Sequence, residues 1–198
     1  MSQILLLQSS LNGPVSRTNQ LMERFLQTRR EQGHQDQVVV RDLTALDLPV
    51  LDSPLFHALR GAEPANEAIR QAVALSDRLI AELKAADLLL IGAPMYNLNV
   101  PTPLKNWFDL VARARVTFRY TDTYPMGLVE GVNALVFSSR GGVHQGQATD
   151  AVTPYLKSVL GLMGIPVEFV YAEGMDLRPH GAEQGMREAH ARIAGLGR

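Results

Sequence analysis

The sequence predicts an α/β fold, a five-stranded parallel sheet with helices on both faces. Three observations carry that expectation. Short, wholly apolar runs recur along the chain, as strands covered on both sides require. Segments with apolar residues at helical spacing alternate with them. The 198 residues are 46% hydrophobic and 20% charged, which suits one domain with a sizeable core and argues against disorder.

Ile4-Leu5-Leu6-Leu7 is the first strand. Ser16 is placed to cap a helix that presents Leu21, Met22, Phe25 and Leu26 on one face. Val38-Val39-Val40 is the second strand, ending at Arg41-Asp42. Ile69, Val73, Ser76, Ile80 and Leu83 recur at helical spacing, so about Asn66 to Ala86 reads as a long helix. Leu88 to Ile91 is the third strand. Thr102 is expected to cap the next helix, with Pro103 at its first position. Ala134 to Phe137 and Val167 to Tyr171 are the fourth and fifth strands. Val152 to Met163 lies between them as a helix, with Pro154 tolerable only in its first turn. Ala182 to Ala194 reads as the final helix. Five such strands fit the flavodoxin-like order 2-1-3-4-5 in a single domain over 1–198.

Two segments fall outside this rhythm. Leu43 to Pro64 contains Leu55-Phe56-His57-Ala58-Leu59-Arg60, and Val116 to Gly131 contains Phe118-Arg119-Tyr120. Long excursions in a domain of this size are often lids or binding loops. Alternation of Val116, Phe118 and Tyr120 makes the second a candidate β-hairpin.

Composition excludes several function classes. A net charge of −1 offers no basic field for nucleic acid or an anionic membrane. The absence of cysteine removes disulfides, thiolate metal sites and cysteine nucleophiles. No apolar run reaches membrane-spanning length, and Met1-Ser2-Gln3 before four apolar residues is not a signal peptide, so the cytoplasm is the expected location.

In the expected order the first, third and fourth strands are neighbours, and ligands bind just outside the carboxyl ends of such strands. The loops after these strands are the most unusual stretches of the chain. Ser9 to Asn19 holds several hydroxyls and Arg17 and runs into a helix N-terminus, which suits a phosphate. There is neither a Walker lysine motif nor G-x-G-x-x-G, so a metal-free monophosphate fits better than ATP or a dinucleotide. The same hydroxyls would also serve as plain helix caps.

Pro94 to Asn99 carries Met95, Tyr96 and two amides, Asn97 and Asn99. It offers apolar surface for a ring face and polar groups for a ring edge. Met95 and Tyr96 are equally suited to a core or a subunit interface, but a buried segment rarely carries two asparagines. The third loop, Ser138-Ser139-Arg140-Gly141-Gly142-Val143-His144, has paired glycines that let backbone N–H groups approach a ligand. Its plain alternative is a glycine turn that ends a strand. A phosphate end, a ring-face wall and a polar-edge wall in one crevice describe a site for FMN.

These residues resemble the FMN-dependent NADH-azoreductases of bacteria, a family that also reduces quinones. The resemblance rests on Ala93-Pro94-Met95-Tyr96-Asn97 with Leu104-Lys105-Asn106, then Phe108 to Ala114, and Val116-Thr117-Phe118-Arg119-Tyr120. Ser138 to Gly142 and Val152-Thr153-Pro154-Tyr155-Leu156 extend it. It implies that Ser10, Ser16, Arg17 and Thr18 hold the phosphate and ribityl end of FMN. By the same resemblance Met95, Tyr96, Asn97 and Leu98 line the isoalloxazine, and Ser139, Arg140, Gly141 and Gly142 meet its other edge. It further implies a homodimer whose flavin site the partner subunit completes, with Phe118 and Tyr120 over the flavin face and Arg60 at the substrate entrance. His144 is a further candidate beside substrate. Leu98 and Leu162 stand where relatives tend to carry aromatics, which bears on stacking with dyes.

The implied chemistry is ping-pong hydride transfer from NADH or NADPH through the flavin to quinones, and to azo compounds that split into two amines, with no protein residue as general acid and no metal. Arg17, Arg60 and Arg140 are the groups that could meet the extra phosphate of NADPH. The alternatives are a quinone or FMN reductase with little azo activity, and a flavodoxin-type electron carrier. Such carriers are usually strongly acidic, unlike this chain. A serine hydrolase lacks its G-x-S-x-G elbow here.

Overall fold

The four-residue apolar runs become the middle of a sheet because both of their faces are covered. The computed structural model describes residues 2–179 and 181–196. The strands are β1 (Gln3–Gln8), β2 (Gln37–Asp42), β3 (Leu88–Gly92), β6 (Asn133–Ser139) and β7 (Val167–Ala172), in the order β2-β1-β3-β6-β7. Every pairing in this sheet is parallel. The expected order 2-1-3-4-5 is therefore the observed one, once the two strands β4 (Phe118–Arg119) and β5 (Met126–Gly127) are set apart as an antiparallel hairpin.

Strand side chains alternate between two cores. Leu5, Leu7, Leu89, Ile91, Ala134 and Val136 face the helices α3 (Glu67–Ala85), α4 (Thr102–Val111) and α5 (Val152–Met163). Ile4, Leu6, Leu90, Leu135, Phe137 and Val170 face α1 (Arg17–Glu31) and α6 (Gly181–Leu196). The edge strand β2 differs, with Val39 and Val40 nearly half exposed. It is held by ion pairs at both ends: Arg29 donates to Asp36 at 2.6 and 2.9 Å, and Arg41 to Glu82 at 2.9 and 2.6 Å.

Helix starts follow the sequence with one correction. Ser16 caps α1, accepting from the Asn19 N–H, and Pro154 falls within the first turn of α5. Thr102, expected as a cap, is the first helical residue, and Pro103 the second. Pro101 holds the cap position with φ −58° and ψ 143°, and its carbonyl accepts from the N–H groups of Leu104 and Lys105. The fixed φ of proline supplies the extended entry that a hydroxyl cap otherwise stabilises.

Both excursions fold onto the α3–α5 side. The first contains α2 (Ser53–Ala58), capped by Asp52, which buries Leu55, Ala58 and Leu59. The second is the expected hairpin, with Phe118 opposite Gly127 and Arg119 opposite Met126.

Candidate functional site

The loops after β1, β3 and β6 leave the carboxyl ends of three adjacent strands and are tied to one another. The Ser9 hydroxyl donates to the Gly92 carbonyl at 2.6 Å. The Met95 N–H donates to the Ser139 carbonyl at 2.9 Å. Tyr96 spans the gap to the first loop: its hydroxyl shares a 3.2 Å hydrogen bond with Ser10 and accepts from the Leu11 N–H at 3.1 Å.

In the first loop Ser10, Ser16 and Thr18 are buried. The Ser16 hydroxyl accepts from the Asn19 N–H at 3.2 Å and lies 3.1 Å from the Thr18 hydroxyl. The N–H groups of Arg17 and Thr18, at the start of α1, have no hydrogen-bond partner among the described residues. The buried Asn19 Oδ1 also lacks one. Free amides, two hydroxyls and the positive end of a helix dipole form a cradle for an anion.

The second loop is a two-residue turn. Tyr96 and Asn99 exchange hydrogen bonds at 2.9 and 3.0 Å, and Asn97 and Leu98 between them take φ of 49° and 66°. Positive φ at both central residues is the type I′ pattern, for which Asn-Gly is the preferred pair. Asn97 tolerates this conformation; a leucine there carries roughly 1–2 kcal/mol of steric cost. Leu98 nevertheless stays 44% exposed, so no packing in the chain repays the strain. We expect Leu98→Gly to raise unfolding stability in a thermal melt while altering ligand contacts of the loop. An unchanged or lower melting temperature would show that the turn is relaxed with leucine. Met95, Tyr96 and Asn97 line a cleft of about 620 Å³ with Leu11, Val100 and Pro101.

In the third loop the carbonyls of Gly141 and Gly142 accept from the N–H groups of Asp176 and Gly174, at 3.0 and 2.9 Å. Their own N–H groups have no partner among the described residues. A β-carbon on Gly142 would press on the His144 ring, and one on Gly141 on the Asp176 carboxylate. His144 leans over this turn, with Nδ1 2.8 Å from the Thr149 hydroxyl.

Arg140 differs from its expected availability. Its guanidinium is fully buried and pairs with Asp150 at 3.0 Å and Glu173 at 3.3 Å. It also donates to Ser138 and Thr153, at 3.2 and 2.8 Å, and lies 4.7 Å from the Tyr171 ring centroid. A side chain so engaged cannot meet the extra phosphate of NADPH, and the backbone is engaged as well: the Arg140 N–H donates to the Ala172 carbonyl at 2.9 Å and its carbonyl accepts from the Met175 N–H at 3.0 Å. The Asp150 carboxyl sits below its ordinary range: burial pushes it up, but hydrogen bonds from Thr153 and Arg140 outweigh that. Burial pushes the Tyr171 hydroxyl the other way, to higher pKa.

Arg60, Phe118 and Tyr120 come together in one cluster on the two excursions. Arg60 reaches the Tyr120 hydroxyl at 3.3 Å and lies over the Phe56 ring at 4.5 Å, while Phe118 and Tyr120 pack edge to face. No hydrogen bond or ion pair joins this cluster to the loops among the described residues. Phe118 is buried, leaving Tyr120 as the exposed ring of the pair. Leu162 is half-buried in α5.

Sequence reasoning missed Asp150 and Glu173. Asp150 had a local signal, since Asp-Ala-Val-Thr ahead of an apolar run is a capping pattern, and its carboxylate does accept from the Thr153 N–H at 3.0 Å. Glu173 had none: it reaches the third loop only because β7 pairs with β6.

Comparison with known proteins agrees with this fold. The flavodoxin-like fold family matches residues 2–196. A Burkholderia lata protein named FMN-dependent NADH:quinone oxidoreductase 4 is 66% identical over 197 residues, covering 99% of both chains. The Escherichia coli K12 protein named FMN-dependent NADH:quinone oxidoreductase is 51% identical over 195 residues, covering 98% of this chain and 97% of its own. The crystal structure of an azoreductase from Bacillus anthracis Sterne superposes with a TM-score of 0.87 at 28% identity, over 100% of this chain and 99% of the other. The chain belongs to the flavodoxin-like fold family and, within it, to the bacterial proteins named FMN-dependent NADH:quinone oxidoreductases.

Proposed function

We propose that this chain binds FMN across its three loops and oxidises NADH to reduce quinones and azo compounds. The observation that carries this reading is a set of backbone N–H groups without a partner among the described residues: Arg17 and Thr18 in the first loop, Gly141 and Gly142 in the third. The first pair, with the Ser16 and Thr18 hydroxyls, fits a phosphate; the second pair fits the polar edge of a flat ring. Met95 and Tyr96 supply the wall between them. Bound FMN supplies two-electron hydride acceptance and donation.

The protein's own part is position and exclusion. Ser10, Ser16 and Thr18 hold the anion, with Arg17 exposed beside them. Asn97 and Leu98 present their turn to the ring, Ser139 borders it, and Gly141 and Gly142 offer it their free backbone N–H groups, while Arg140 supports that loop from behind. A quinone takes one hydride and one proton per turnover; an azo bond takes two turnovers to become two amines. Exposed Arg60 and Tyr120, with His144, are the side chains we assign to substrate. NADH is the donor we assign. NADPH would need an exposed guanidinium, Arg17 or Arg60, for its extra phosphate.

Apolar side chains exposed around the crevice, Leu11, Leu98 and Val143 among them, support a homodimer in which a second copy covers the site. No helix among the described residues is long and apolar enough to cross a membrane.

The test is an absorbance spectrum after FMN loading and desalting, then anaerobic NADH, then a quinone or an azo dye. Retained yellow colour that NADH bleaches and the acceptor restores supports the proposal. Retention without bleaching points to a carrier, and no retention removes the reading. We expect Asn97→Ala to weaken FMN retention and slow bleaching, because alanine at φ 49° disfavours the turn and the side-chain amide is lost. Normal flavin content and rate in that variant would remove Asn97 from the site.

A further inference from the structure

We propose that Glu173 is a positioning residue: with Arg140 it clamps the loop from Ser139 to Gln145 into the shape that turns the Gly141 and Gly142 N–H groups toward the ligand. The inference rests on the functional reading of that loop. Glu173 follows β7, yet its Oε1 accepts three donors from the loop after β6. These are the N–H groups of His144 and Gln145, both at 2.8 Å, and the Arg140 guanidinium at 3.3 Å. One carboxylate oxygen thus fixes the far end of the loop through two amides and its near end through a buried cation. The backbone completes the clamp: the Arg140, Gly141 and Gly142 carbonyls accept from Met175, Asp176 and Gly174, at 3.0, 3.0 and 2.9 Å.

Fixing the carbonyls on the β7 side fixes the glycine amides on the other side, because each peptide plane carries both. Arg140 is held in turn by Asp150, Ser138 and Thr153, so the clamp is anchored in β6 and α5 rather than in the loop. Glycines without such an anchor would sample many backbone states, and ligand binding would bear the cost of ordering them. The cluster of one arginine and two carboxylates also carries formal negative charge beside a site read as holding a reducible cofactor. Charge and shape can be separated by substitution: glutamine at 173 keeps an acceptor oxygen and removes the charge, whereas alanine removes both.

The experiment is amide hydrogen exchange on the apo-protein, with FMN titration and spectroelectrochemical potential on the loaded protein, for wild type, Glu173→Gln and Glu173→Ala. For Glu173→Ala we expect exchange at His144 and Gln145 to rise at least about tenfold, with the β1 and β3 amides unchanged. FMN dissociation should rise about tenfold, equivalent to 1.4 kcal/mol. Glu173→Gln should keep the exchange protection and shift the flavin potential positive. The proposal is overturned if Glu173→Ala leaves loop exchange and FMN affinity at wild-type values. It is equally overturned if exchange rises across the whole sheet, since that marks a general loss of stability. Wild type that takes up no FMN would instead remove the functional reading, and the apo exchange pattern would still decide whether Glu173 shapes the loop.

Discussion

Arg140→Ala is expected to lose about 3–5 kcal/mol of unfolding free energy near neutral pH, the usual consequence of removing one partner from a buried ion pair. The substitution strands Asp150 and Glu173, whose side chains are 5% and 13% exposed, without the only cation that pairs with them among the described residues. It also leaves the Ser138 and Thr153 hydroxyls without the guanidinium and empties the space over the Tyr171 ring. The loss has a pH signature. The folded-state pKa of Asp150 is depressed below 3.8, so its contribution is complete above that value and is lost as pH falls through the depressed one. Once Asp150 is protonated the arginine has less to neutralise, and the gap between wild type and variant narrows. Urea unfolding at about pH 7 and again near pH 3 measures both quantities. A deficit under about 1 kcal/mol at neutral pH, the scale of an exposed pair, would mean that water reaches the cluster.

Gly127→Ala is expected to lose about 1–3 kcal/mol and to release the hairpin from the end of α5. A β-carbon at position 127 would overlap the backbone of Gly164, which has no flexible end to move aside. Gly164 is itself constrained: it terminates α5 with φ 87°, the left-handed conformation that favours glycine. Relief therefore requires β5 to lift. That breaks the hydrogen bonds from Leu128 N–H to the Thr117 carbonyl at 2.9 Å and from Val129 N–H to the Met163 carbonyl at 3.1 Å. The hairpin carries Phe118 and Tyr120, and lifting it separates Tyr120 from Arg60. We expect a higher KM for bulky quinones. FMN affinity should stay within about threefold, under roughly 0.7 kcal/mol, because none of the three loops is touched. Thermal unfolding together with steady-state kinetics tests this. A variant with wild-type melting temperature and KM would mean that the hairpin accommodates the methyl group without moving.

The two substitutions probe the site from opposite directions. Arg140 supports the backbone of the third loop from beneath, whereas the hairpin belongs to the separate Arg60 cluster. The first variant is expected to weaken cofactor binding before it alters substrate preference. The second does the reverse.

The strands and most helices were legible because their signals are local. Ile4-Leu5-Leu6-Leu7 and Leu88-Leu89-Leu90-Ile91 are apolar without alternation, the pattern of a strand covered on both faces, and at four residues too short for a buried helix. The Ser16 cap and the first-turn Pro154 follow from which backbone groups a helix end leaves free. Thr102 misled because two backbone devices, a hydroxyl cap and a proline entry, can each start a helix, and Pro101 stands one residue earlier. Three loops could be singled out by composition, and their convergence followed from the strand order alone.

The sheet, its order and the three candidate loops were legible in the chain because apolar periodicity and turn chemistry act over a few residues. Tertiary structure alone decided which polar groups are free. Arg140 reads as an available cation in the sequence and is a buried, fully paired one in the fold. Leu98 reads as a wall residue and is found in a strained left-handed turn. Glu173, 33 residues beyond Arg140, becomes the partner of a distant loop. A side chain's hydrogen-bond partners depend on which strands lie side by side, and that register brings together residues whose separation along the chain carries no signal of their contact.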